Sequence, residues 1–357
     1  MAALHAPARL VGPHEVRPLF RALLRRSCNH SPPIVPGVSP SANTLLSREL
    51  IFVTGKGGVG KTTVAAGLGM ALAAAGRRTI VCEVGAQRRL PALFGLGTGD
   101  PLAAGFRHDE GVELGLDDGL WATSIDPNRA LREWLATQLP SKSVVDLLSR
   151  SNLFQYFTAA APGARELVTV TKVWELAQAR RWDKKAQPYD VVVVDLPASG
   201  HGVGLLRTAR TFADVARVGP IASQAGRVRD TVEDPMRSAV VAVALPGELP
   251  VTETLELETS VQRELRRPVD AIVVNALLPR RWSAADLGQL QAAGDAVPAQ
   301  ARRAARSETA RTKAQQTQLA RLQRDAVAPV VTLPFVTAPT LDREQVARLG
   351  RELVGKL

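Results

Sequence analysis

Cysteine is nearly missing from this chain: Cys28 and Cys82 are the two in 357 residues, with no C-x-x-C pair around either. That excludes a disulfide framework and a local zinc site, so no zinc is expected, and it makes a reducing, cytoplasmic compartment the expected one. Methionine is almost as scarce, with Met70 and Met236 beyond Met1. Apolar residues make up 45% of the chain, enough for one large core or two modest ones. They never run together for the roughly 18 to 20 positions that a membrane span needs. At most a peripheral association with a membrane is expected. The net charge of +11 comes largely from arginine scattered along the sequence, a pattern that does not assign a nucleic-acid partner, and none is expected.

Acidic residues are also missing from the start, where Glu15 is the one acid before Glu49. Pro7, Pro13, Pro18, Pro32, Pro33, Pro36 and Pro40 break any long element there, so residues 1–48 read as a flexible basic extension. A basic, weakly amphipathic stretch from Val16 to Arg26 leaves a targeting segment open, as it does a start codon placed too early.

From Glu49 onward, strand and helix alternate. Buried-strand runs are expected at Leu50–Val53, Thr79–Cys82, Val191–Val194, Ala239–Ala244, Ala271–Val274 and Val330–Leu333. Six such runs separated by helices imply an α/β fold, a doubly wound and mostly parallel sheet covered on both faces. Between Pro101 and Lys185 the strand signal fades, and helical periodicity appears in Asn128–Leu139, Ser143–Leu148 and Arg165–Ala179. The block from about 100 to 187 reads as a helical subdomain carried on the sheet. The polar, arginine-rich segment Arg280–Asp325 reads as one or two solvated helices.

The strongest motif is G-K-G-G-V-G-K-T, Gly55 to Thr62, placed after the first strand run and opening a helix. That context is the one a phosphate-binding loop requires. Gly55, Gly57, Gly58 and Gly60, with Val59 between them, let backbone N–H groups turn toward phosphate oxygens. The helix N-terminus, through Thr62 and Thr63, adds partial positive charge. Lys61 would neutralise the β- and γ-phosphates, and the Thr62 hydroxyl would ligate Mg²⁺. ATP with Mg²⁺ is the expected ligand.

Lys56, just after the first glycine, makes this the deviant form of the loop and resembles the superfamily that includes MinD, ParA and ArsA. In that superfamily the corresponding lysine reaches across a dimer interface to the partner's nucleotide. D-L-P-A-S-G-H, Asp195 to His201, resembles the switch II segment of the arsenite-pump ATPase and of the guided-entry ATPases that target tail-anchored proteins. I-D-P-N-R-A-L (125–131) and A-P-G-A-R-E-L (161–167) resemble two further segments of that family. The resemblance covers roughly Glu49 to Leu357, and bacterial, especially actinobacterial, ArsA-like proteins look most alike. It implies Asp195 as a Mg²⁺-holding residue, and Asn275, Pro334 and Phe335 as adenine contacts. It also implies a homodimer, or a heterodimer with a paralogous ATPase, that handles a hydrophobic protein client.

The sequence departs from the family where switch I should carry a water-orienting aspartate: the stretch is C-E-V-G-A-Q-R-R-L, and Gly85 takes that position. Glu83, two residues earlier on the same strand face, is the remaining carboxylate. Hydrolysis is therefore expected to be weak. Two further readings stay open, a catalytically silent ATP-binding subunit and a MinD/ParA-type ATPase on a membrane surface. The latter draws on the C-terminal amphipathic stretch with Val346, Leu349, Leu353 and Leu357.

Overall fold

The computed structural model describes residues 45–85, 89–97, 112–117, 119–139, 163–215 and 219–357. The N-terminal extension up to residue 44, the expected helix Ser143–Leu148 and residues 161 and 162 lie outside the described residues. Of the two compact units into which the chain divides, one spans Pro40–Leu277 with Thr317–Leu357, and the other takes in Leu278–Gln316.

The larger unit is built on an eight-stranded sheet. Its strands are β1 (Leu50–Gly55), β2 (Thr79–Glu83), β3 (Leu114–Asp117), β4 (Leu120–Ser124), β5 (Val191–Asp195), β6 (Ser238–Ala244), β7 (Ala271–Leu277) and β8 (Val330–Pro334). They lie in the order β3-β4-β2-β5-β1-β6-β7-β8. Every pairing is parallel except β3 with β4. All six expected strands are present.

β-Branched residues fill both faces because both are covered. Leu50, Phe52, Val192 and Val194 pack toward the helices α3 (Ala164–Leu176), α4 (Ser199–Val215), α5 (Pro220–Glu233) and α6 (Glu248–Leu265). Ile51, Val53, Val191 and Val193 face α1 (Lys61–Ala74) and the C-terminal helix α9 (Arg343–Val354). At the crossing of α1 and α9, a Cβ on Gly350 would stand 1.9 Å from the Gly67 carbonyl oxygen, so the two backbones touch. Val346, Leu349 and Leu353 are buried there, which leaves the apolar face of α9 packed on its own domain.

β3 and β4 are a correction, since they fall in a block read as helical. They are short, β3 alternates in exposure, and the Asp117 to Gly119 turn between them lacks the apolar run that betrays a buried strand. The expected helices of that block appear as α2 (Pro127–Gln138) and α3. α3 packs on the sheet through Val170, Val173 and Leu176, and buried ion pairs tie the helices of the block together. Arg181 and Glu175, both about 1–2% exposed at the side chain, pair at 2.7 Å, and Lys172 of α3 reaches Glu133 of α2 at 2.7 Å.

The second unit holds α7 (Ala284–Ala292), opened by a Ser283–Asp286 capping box, and the first two thirds of the long helix α8 (Ala299–Asp325). Leu290, Val297 and Ala305 form its small core.

Candidate functional site

The parallel strands bring their carboxyl ends to one edge, and the candidate residues gather there, as the doubly wound fold dictates. β1 ends at Gly55, where an added Cβ would lie 2.3 Å from the Val243 carbonyl oxygen of β6. Only glycine lets the chain turn away from the sheet at that point. The exposed tip, Gly57 and Gly58, follows, and α1 opens at Lys61 with no side-chain cap on its N-terminus. Its first-turn N–H groups are therefore directed at whatever the loop encloses.

Lys61 is nearly buried, and its ammonium donates to the Lys56 carbonyl oxygen at 2.9 Å. Burial lowers its pKa, and Asp195 works in the opposite direction. The Thr62 hydroxyl donates to Asp195 Oδ2 at 2.6 Å. Asp195 is the last residue of β5, in register with Val53 on one side and Glu83 on the other. Its second oxygen, Oδ1, is buried without a hydrogen-bond partner. Its carboxyl is pushed up to about 6, first by burial, with the Thr62 hydrogen bond opposing and the Glu83 charge adding to the rise. A hydroxyl and a carboxylate with one unsatisfied oxygen are the hard donors a divalent cation takes, so Thr62 and Asp195 fit Mg²⁺.

Asn275 is seated against the loop. Its amide nitrogen donates to the Val59 carbonyl oxygen at 3.0 Å. A Cβ on Gly60, which has φ 93°, would lie 2.2 Å from that nitrogen. The strand does not stop at Val274 as expected but runs on through Asn275 to Leu277, with a register shift between Val274 and Leu277 and Ala276 at φ 57°. Such a bulge re-aims a side chain at a sheet's functional edge. Pro334 and Phe335 stand at the same edge but bond to β7 rather than the loop: Phe335 N–H donates to the Leu277 carbonyl oxygen at 2.9 Å. Thr63 is partly buried in the first turn of α1.

Glu83 is 1% exposed and accepts a hydrogen bond from Arg89 N–H at 3.0 Å, so it fastens the loop that follows β2. Gly85, on that loop, has φ 114° and open space where a Cβ would be.

Two contributors were not legible in the sequence. Arg89 adds a positive charge felt by both Lys61 and Asp195. Glu253, on α6, stands 3.3 Å from the Lys56 ammonium, which is 43% exposed at the side chain. No local spacing links Lys56 to a residue that lies five strands further along the chain.

Comparison with known proteins agrees with this geometry. The family model for the anion-transporting ATPases, ArsA ATPase, matches residues 48–221. ATPase BagA of Mycobacterium tuberculosis is 32% identical over 243 residues, covering 68% of this chain and 68% of its own length. ATPase get3 of Neurospora crassa is 29% identical over 196 residues, 53% of this chain and 52% of its own. ATPase ARSA1 of Chlamydomonas reinhardtii is 30% identical over 183 residues, 44% of this chain and 22% of its own. These relatives and the matching family model show that the chain belongs to the ArsA family of anion-transporting ATPases.

Proposed function

We propose that this protein binds ATP with Mg²⁺ between Gly55 and Thr62, and that the bound triphosphate draws two subunits together face to face. The observation that carries the reading is the Thr62–Asp195 pair beside Lys61: a buried carboxylate oxygen without a partner, next to an uncapped helix N-terminus. An anion and a cation together complete that site, whereas either alone leaves an unbalanced charge. Bound Mg²⁺ would supply charge neutralisation at the phosphates. The chain itself contributes the rest: Lys61 and the loop N–H groups grip the phosphates, Asn275 holds the loop's shape, and Lys56 of each subunit reaches the nucleotide of the other.

In this reading the closing dimer, with itself or with a paralogous ATPase, handles a hydrophobic or membrane-destined protein client in the cytoplasm. The membrane-surface alternative loses its main support, since the apolar face of α9 is packed against α1. Among the described residues no helix is long and apolar enough to cross a membrane.

Lys61→Ala is the direct test. Isothermal titration with ATP and Mg²⁺ should show binding to the parent protein and none to the variant, because the phosphates lose their buried counter-charge. Unchanged affinity in the variant would sink the assignment.

A second reading is favoured by one feature, the glycine at position 85. With no side chain there to orient water, the subunit would bind ATP and hydrolyse it slowly, serving as the silent half of a heterodimer.

A further inference from the structure

The unit Leu278–Gln316 carries a cavity of about 250 Å³ that involves no residue of the phosphate loop. One wall is a single face of α8, where Thr309, Thr312, Lys313 and Gln316 recur at the three- and four-residue spacing that aligns side chains along a helix. The other is Arg280, Arg281 and Trp282, the loop that leads into α7. Three cations and an indole therefore surround one small space.

The polar groups around it are already held in place. Glu308 accepts from Trp282 Nε1 at 3.2 Å and pairs with Arg281 at 3.3 Å, so this one carboxylate fixes both the ring and the neighbouring guanidinium. Arg280 is anchored differently: it donates to the neutral side-chain oxygen of Gln316 at 3.0 Å, which orients the guanidinium without cancelling its charge. Lys313 lines the same wall one turn before Gln316. The segment 278–316 has seven arginines and lysines against three acids, so its net charge is positive.

We propose that this cavity is a second ligand site, one for a small phosphate-bearing organic molecule. A guanidinium fork and an ammonium match a phosphate dianion in geometry and charge. The indole gives the organic part of the ligand an apolar wall. The space is small and open to solvent on one side, so it admits a phosphate with a compact organic group laid against the indole.

The test uses the full chain with Lys61→Ala, so that the phosphate loop contributes nothing, or the parent protein saturated with ADP if that variant does not fold. Phenyl phosphate and inorganic phosphate are titrated at constant ionic strength, with indole emission and heat as readouts. A saturable response to phenyl phosphate below about 1 mM is expected, tighter than that to inorganic phosphate. Arg280→Ala and Lys313→Ala should each weaken it at least tenfold, and Trp282→Phe should remove the emission change while heat is still released. Arg280 and Lys313 are exposed, so these variants should fold as the parent does. The proposal is overturned by a response that never saturates, by equal affinity in the Arg280→Ala variant, or by phenyl phosphate binding no tighter than inorganic phosphate. Binding of only an oligonucleotide or an anionic lipid vesicle would overturn it as well.

Discussion

At the scale of single residues, the site keeps a charge where the fold would prefer none. Asp195 sits at the end of a buried strand with one oxygen unsatisfied and its pKa raised to about 6. The folded pKa exceeds the ordinary carboxylate value, so the folded chain binds a proton that the unfolded chain has released between about pH 4 and pH 6. Its contribution to stability is greatest at low pH and falls as pH rises through that window. The shift corresponds to roughly 3 kcal/mol at neutral pH. Asp195→Asn should recover on the order of 1–2 kcal/mol at pH 7.5 in urea unfolding of the free protein, while removing the effect of Mg²⁺ on nucleotide binding. A variant that is less stable than the parent at pH 7.5 would contradict this account. Gly85 invites the opposite change. Its φ of 114° makes Gly85→Asp strained, at about 1–2 kcal/mol, but an added Cβ meets open space. If the site lacks only a water-orienting carboxylate, steady-state phosphate release should rise in the variant. Equal rates in parent and variant would remove the silent-subunit reading.

At the scale of elements, α1 is fixed at its middle by α9, where Gly67 and Gly350 bring the backbones into contact. Gly350→Ala should therefore push the helices apart and lower the thermal midpoint by several degrees, on the order of 1–3 kcal/mol. Because α1 carries Lys61 and Thr62 at its first turn, ATP affinity should weaken with it. A variant with parental midpoint and affinity would show that the helices part without cost. The same elements show what a sequence can and cannot disclose. The six long strands were legible because both faces are covered, which writes an unbroken β-branched run such as Val191–Val194. The stretch Gly55 to Thr62 was legible because a chain turning from strand to helix around an anion needs glycine at a fixed spacing, whereas Asp195 was legible through the resemblance of residues 195–201 to the family's switch II segment. β3 and β4 were not, since an edge hairpin with Asp117 and Gly119 at its turn looks like loop. The bulge that continues β7 past Asn275 was hidden for a similar reason: nothing in N-A-L marks Ala276 as the residue with positive φ.

At the scale of the whole molecule, the decisive group is Lys56, and its place in one chain is informative. Its ammonium lies on Glu253 of its own subunit, so a role across an interface requires that contact to be given up. The pair is partly exposed, and such pairs are worth about 0–1 kcal/mol, which makes the exchange inexpensive. A phosphate group in a closed, drier interface would attract the same ammonium more strongly. Two variants then move in opposite directions. Lys56→Ala should leave ATP binding by the single subunit intact and weaken ATP-dependent association, since the group it removes acts on the other chain's nucleotide. Glu253→Gln should free the lysine and strengthen association, by up to about fivefold if the full value of the pair is released. Sedimentation velocity with a non-hydrolysable ATP analogue reads both. If Glu253→Gln weakens association instead, Glu253 itself belongs to the interface, and Lys56 is held for a purpose within its own subunit. If neither variant alters a nucleotide-dependent dimer, charge at Lys56 plays no part in closing it, and the face-to-face arrangement has to rest on other residues.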